Sequence, residues 1–157
     1  MSAIKDKLTI SVIIVTLNRA SMLEGALFSL VQQTRLPEEV IVVDNNSSDN
    51  TGEIVANFKG RLNIKYILET KKGIPISRNT GVENASGDII VFTDDDCVVD
   101  KEWLHYLVLP FLRDPSIGMV GGEILPWRSK GTIVEEYSIA DALMRVGHNF
   151  QEEKNSL

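Results

Sequence analysis

Two periodicities take turns along this chain. Leu8 to Leu17 (LTISVIIVTL) is almost continuously apolar and β-branched, the pattern of a buried strand. Met22, Leu23, Ala26, Leu27, Leu30 and Val31 then recur at helical spacing, and Ser21 with Glu24 has the spacing of a capping box. Pro37 interrupts, and Val40 to Val43 form a second strand ending in Asp44. Asn50 and Glu53 repeat the capping spacing ahead of a second helix, and Ile64 to Leu68 predict a third strand. Gly73 and Pro75 mark a turn into a third helix with Pro75 near its first position, and Gly87 stands where a helix stop is expected. A fourth strand follows at Ile89 to Thr93. Asp100 is placed to cap a helix with the stripe Trp103, Leu104, Leu107, Val108, Phe111 and Leu112, which Asp114-Pro115 ends. Ile117 to Leu125 predicts a strand softened by glycines, Ile133 to Val146 one more helix, and Gln151 to Leu157 a frayed polar tail.

Strands alternating with helices predict βαβ units, an α/β fold with a mostly parallel sheet flanked by helices. Ligands of such sheets bind beyond the carboxyl ends of the strands, where strand order reverses. The fourth strand runs straight into three consecutive acids, Asp94, Asp95 and Asp96. Like charges so close repel, and the rule for parallel sheets gives them a purpose: they lie where a ligand would.

Composition narrows the choice. The chain has 157 residues, enough for one domain, and its 43% of apolar residues suffice for a sizeable core. A net charge of −6 is a poor footprint for nucleic acid. The one cysteine, Cys97, allows no intrachain disulfide, and no leader or run long enough to span a bilayer is visible. The expectation is a cytoplasmic chain, either free or peripheral to the inner face of the membrane.

A strand's period of two turns Asp94 and Asp96 one way and Asp95 the other. Two converging carboxylates suit a hard divalent ion, Mg2+, Mn2+ or Ca2+, with waters or phosphate oxygens completing the shell. The alternative is that the acids stay solvated and cap the next helix, the reading preferred for Asp100 and open for Asp95. A second polar cluster, Asp44 to Asp49, also follows a strand. Turn and cap chemistry accounts for Ser47 to Asn50, whereas Asp44 directly ends an apolar strand and is placed to accept from a base or ribose. The cluster is no EF-hand, because Asp49 occupies the position that needs glycine, and neither GxxxxGK[ST] nor GxGxxG occurs. Arg19, Lys71, Lys72 and Arg78 can meet a diphosphate or simply be solvated. His105 and His148 lack metal-ligand spacing, and Cys97, flanked by acids, reads as packing.

Four stretches together carry a resemblance: Ser11 to Arg19 (SVIIVTLNR), Val42 to Asp49 (VVDNNSSD), Gly73 to Gly81 (GIPISRNTG) and Phe92 to Asp96 (FTDDD). Over residues 8 to about 125 the chain resembles the N-terminal, donor-binding part of glycosyltransferase family 2, which has the GT-A nucleotide-diphospho-sugar transferase fold. The resemblance implies a single GT-A-like domain over residues 1–157, with a core at 8–125 and a partial acceptor-side segment and tail at 126–157. It implies nucleotide-sugar contacts from Thr16, Asn18, Arg19, Asp44, Asn46, Arg78, Asp94 and Asp95, with Asp44 holding the base. It implies a DxD metal pair, Asp94 and Asp96, for Mn2+ or Mg2+. Because the middle residue is also Asp, which two of the three bind metal stays open. The implied reaction passes a sugar, with inversion, from a nucleoside-diphosphate sugar, UDP-sugar first among them, to the hydroxyl of a glycan, lipid or other acceptor. The family's carboxylate base lies on a later segment, expected beyond Leu157. Glu135, Glu136 and Asp141 match no family motif, so the expectation is a truncated donor-binding half with slow transfer or none, and apolar surface left open would favour homo-oligomers.

Three other readings compete. A nucleotide-sugar binding module without turnover keeps every donor-side residue and is told apart by a product assay. A receiver-type signalling domain wants acids after the first strand, where this chain has Thr16 to Arg19. An adhesion domain of von Willebrand type would place DxSxS after the first strand, whereas Asp44 to Ser48 follows the second.

Overall fold

The computed structural model describes residues 8–122 and 124. They belong to two compact units that divide between Leu104 and His105. The first unit is built on four strands, β1 (Ile10–Thr16), β2 (Glu39–Asp44), β3 (Ile64–Leu68) and β4 (Ile89–Phe92). Helices α1 (Ala20–Val31), α2 (Thr51–Phe58) and α3 (Ile74–Glu83) connect them in turn. A fourth helix, α4 (Trp103–Arg113), begins at the end of this unit and supplies the helical part of the second.

All four strands are parallel, in the order β3-β2-β1-β4. The first two crossovers each add a strand on one side of β1, and α3 then carries the chain back across to β1's other edge. Strand order therefore reverses between β1 and β4, with Ile13 paired to Phe92 at the end of that register. This is where a parallel sheet opens its ligand crevice.

A parallel sheet is covered on both faces, and β1 and β2 show it: Ile10, Val12, Ile13, Ile14 and Val40 to Val43 are all essentially inaccessible. Helix α3 packs on β1 and β2. Gly81 makes this fit possible, because a Cβ there would lie 2.6 Å from Ile13 Cγ2. Helix α1 packs on α2 and buries Leu23, Ala26, Leu27 and Leu30 of its expected stripe, while Met22 stays half exposed. Each fully buried aliphatic side chain contributes about 1.5–3 kcal/mol.

Several local expectations give way to tertiary contacts. Neither capping box forms: Arg19 and Asn50, at the N-cap positions of α1 and α2, make no side-chain cap bond. Asp49 does the work for both helices, accepting from Ala20 N at 3.0 Å and Thr51 N at 3.1 Å. Gly87 is no helix stop, since α3 ends at Glu83 with Asn84 as its C-cap. It lies against β1, where a Cβ would meet the Ser11 backbone nitrogen at 2.6 Å and its N–H donates to Ser11 Oγ.

In the second unit α4 runs on to Arg113 despite Pro110, with Leu107 and Val108 buried. The strand expected from Ile117 is absent over residues 117–122, where glycines and exposed side chains leave nothing to hold a ladder. Leu125, the Ile133 to Val146 helix, Glu135, Glu136, Asp141, His148 and the Gln151 to Leu157 tail lie outside the described residues. No helix among the described residues is long and apolar enough to cross a membrane.

Candidate functional site

Beyond the carboxyl ends of β1 and β4 lies a cleft of about 470 Å³, a size suited to a small-molecule ligand. Its apolar lining includes Ile13, Val15 and Phe92, and its polar lining Thr16, Arg19, Asn45, Arg78, Thr93 and the three acids. The strand does not carry these acids. Its ladder makes one last bond, Thr93 N to Ile13 O at 3.2 Å, and a turn closed by Cys97 N donating to Asp94 O then replaces it. The expected division of the acids holds, although a turn produces it instead of strand alternation.

Exposure separates the three. The side chains of Asp94 and Asp96 are 67% and 48% exposed, that of Asp95 only 6%. Asp95 accepts from Thr16 Oγ1 at 2.8 Å and from Arg19 Nη1 at 3.0 Å, so its two oxygens tie the turn to the end of β1. The same Arg19 nitrogen reaches Asp96 Oδ2 at 3.1 Å. Arg78 Nη2 donates to Asp94 Oδ1 at 3.3 Å, and its guanidinium lies 5.9 Å from the centre of the Phe92 ring. Hydrogen bonding to Asp95, with the charges of Asp95 and Asp96, holds Arg19 still more firmly protonated than an ordinary arginine.

Ligand atoms of Asp94, Asp96 and Cys97 lie within 4.8 Å of one another. Two exposed carboxylates at that separation fit a hard divalent ion that keeps several waters. The thiol is pushed up from its ordinary value by burial and by the charges of Asp96 and Asp94. It stays protonated near neutral pH and is a poor ligand for such an ion.

The loop after β2 is built differently. Asp44 is 2% exposed and does not line this cleft. Its Oδ1 accepts from Ser47 N at 2.8 Å and its Oδ2 from Tyr66 Oη at 2.5 Å. Tyr66 is pushed up to about 12 by burial and by this bond to Asp44. Asn18 and Asn46 also stand outside the cleft lining, both in the left-handed region with φ of 54° and 69°. Asn18 Oδ1 accepts from Ser48 N at 2.7 Å, and its own N–H donates to Ser47 Oγ at 2.8 Å, clasping the β1 loop to the β2 loop. Lys71 and Lys72 are exposed and line no part of the cleft.

The structure thus gathers Thr16, Arg19, Arg78, Asp94, Asp95 and Asp96, and sets Asn18, Asp44 and Asn46 beside them. Sequence reasoning missed Asn45, whose carboxamide accepts from Gly73 N at 3.0 Å and donates to Glu69 O and Lys71 O. This clip fixes the approach to α3 and so the root of Arg78. Asn45 stood inside a quoted motif, yet nothing local distinguishes it from a turn asparagine. Tyr66 was missed because its bond to Asp44 joins neighbouring strands.

Comparison with known proteins bears on this geometry. The family model for glycosyl transferase family 2 matches residues 11–134. The chain is 35% identical over 133 residues to glycosyltransferase AglE of Haloferax volcanii, covering 82% of this chain and 43% of that protein. Its fold matches S. aureus TarS 1-349 in complex with UDP at a TM-score of 0.65 and 28% identity, over 76% of this chain and 38% of that one. It matches the mannosyltransferase PcManGT from Pyrobaculum calidifontis, in complex with GDP-Man and Mn2+, at a TM-score of 0.64 and 32% identity, over 71% and 34% of the two chains. The chain spans less than half the length of each of these relatives.

Proposed function

Because the chain belongs to glycosyl transferase family 2, we propose that its cleft binds a nucleoside-diphosphate sugar together with Mn2+ or Mg2+, for transfer of the sugar to an acceptor hydroxyl. UDP-sugar is the first donor to test, and the transfer proceeds with inversion. The observation that carries this reading is the convergence of exposed Asp94 and Asp96 at the reversal of strand order, flanked by Arg19 and Arg78. TarS and PcManGT, similar in fold, are complexed with UDP and with GDP-Man and Mn2+.

In this reading Asp94 and Asp96 hold the ion, which when bound neutralises charge developing on the departing nucleoside diphosphate. Asp95 is not a ligand; it holds the turn in place through Thr16 and Arg19. Arg19 and Arg78 present fixed positive charge to the diphosphate, and Arg forks match phosphate oxygens in pairs. Asp44 shapes the base side of the site through the loop it fastens, and an oxygen that accepts one hydrogen bond retains a lone pair for a base N–H.

Titration calorimetry with UDP tests the reading. Binding is expected with Mn2+ present and lost on adding chelator. Equal affinity in both conditions contradicts a metal-held diphosphate.

A further inference from the structure

Both exposed acids of the turn are already partnered by guanidinium groups, Asp94 by Arg78 and Asp96 by Arg19. These are the same carboxylates that the proposed function assigns to the ion, and the same arginines that it assigns to the diphosphate. The two assignments compete, since a guanidinium about 3 Å from a carboxylate repels a dication bound to that carboxylate. They become compatible only if the arginines change partner.

We infer that Arg19 and Arg78 are exchange partners: each neutralises its aspartate until an ion takes that carboxylate, and then turns to the diphosphate. This inference rests on the reading of the cleft as a nucleoside-diphosphate site, and adds to it how ion and diphosphate are made to bind together. The surroundings fit the two-position role. Arg19 uses one nitrogen for both Asp95 and Asp96, so the bond to buried Asp95 keeps its root when Asp96 is taken. Arg78 is about half exposed, its bond to Asp94 is long at 3.3 Å, and the face of Phe92 offers a resting place during the turn.

The exchange makes claims that fixed charges do not. Freed from Asp94, Arg78 should serve the diphosphate even without metal. Asp94→Asn should therefore tighten UDP binding in chelator while abolishing the metal-dependent part. Adding Arg78→Gln to Asp94→Asn should cancel that gain. Arg78→Gln alone should bind Mn2+ without nucleotide more tightly than the parent, by about 5- to 150-fold if the coupling is of ordinary size. Arg78→Lys, which keeps a positive charge beside Asp94, should bind Mn2+ alone less tightly than Arg78→Gln.

The experiment is calorimetric titration of Mn2+ alone, and of UDP in chelator, into the parent chain and these variants, each checked by its melting curve. Arg78 is exposed and outside the buried Asp95 link, so its variants remain folded where an Arg19 change would disturb Asp95. Tighter Mn2+ binding by Arg78→Gln, together with a UDP gain in Asp94→Asn that vanishes in the double variant, supports the exchange. A UDP gain that persists in the double variant, or Mn2+ binding by Arg78→Gln no tighter than the parent's, overturns it. Failure of the parent to bind UDP with Mn2+ would overturn the nucleotide reading instead, and the Mn2+ titrations would still judge the competition between ion and arginine.

Discussion

Two acid-bearing loops follow β2 and β4, the parallel strands on either side of β1, at the same end of the sheet, and they treat their carboxylates in opposite ways. After β2, Asp44 and Asp49 give their oxygens to backbone N–H groups and hydroxyls of the protein itself. After β4, Asp94 and Asp96 stand in solvent, paired with arginines and, for Asp96, with the Cys97 thiol at 3.9 Å, and Asp95 alone of the three is turned inward. The first loop is scaffold: it starts two helices and fastens β2 to β3. The second offers charge that the fold does not require. Asp residues at strand ends look alike in sequence, and what separates them is whether backbone N–H groups and hydroxyls of the folded chain hold their oxygens in place.

The comparison can be broken by substitution, and the largest effect should fall on the scaffold side. Asp44→Ala strands two donors, Ser47 N and Tyr66 Oη, at a cost of about 1–3 kcal/mol for each one left buried and unpaired. A denaturant melt should show the loss, and a midpoint equal to the parent's would show that the loop does not depend on Asp44. Next comes Asp95→Ala. Here the Thr16 hydroxyl loses its acceptor, and stability should fall by about 1–3 kcal/mol although this acid belongs to the triplet. An unchanged melt would move Asp95 into the same group as its neighbours.

A smaller effect concerns alkaline pH. The folded protein holds the Tyr66 proton to about 12, whereas an ordinary tyrosine ionises near 10.0. The stability this supplies is complete below about pH 10 and is lost as the pH rises from there to about 12. Tyr66→Phe should remove that part of the alkaline stability loss, measured by unfolding at a series of pH values. Persistence of the same loss in Tyr66→Phe would assign it to another group.

How much of this was legible in the sequence follows from range. The strands, helices and their parallel arrangement were written in local periodicity, because β-branched runs and helical stripes need only neighbours. The position of the candidate site at a strand end was legible too, since Asp94 to Asp96 follow the apolar run of the fourth strand. Caps were misread because Ser21-Glu24 and Asn50-Glu53 have the right spacing, while the carboxylate that caps α1 arrives from Asp49 in another loop. Gly87 was read as a stop because its actual constraint, the closeness of Ser11, is separated from it by most of the unit. Alternation already set Asp95 apart from its neighbours, but its partners were hidden for the same reason: Thr16 and Arg19 are remote in sequence. Over residues 117–122 the expected strand is absent, because apolar residues interleaved with glycine mimic a strand in sequence.

The smallest effect on stability, and the greatest on binding, should come from Asp96. The measurement that tests the central claim most directly is a Mn2+-dependent UDP titration of Asp96→Ala beside the parent chain. The account predicts that the metal-dependent part of the affinity disappears while the melting temperature stays within about a degree or two of the parent, since an exposed acid carries little stability. Retained metal-dependent binding, or a large fall in melting temperature, would place Asp96 with the scaffold acids and contradict the division between the two loops.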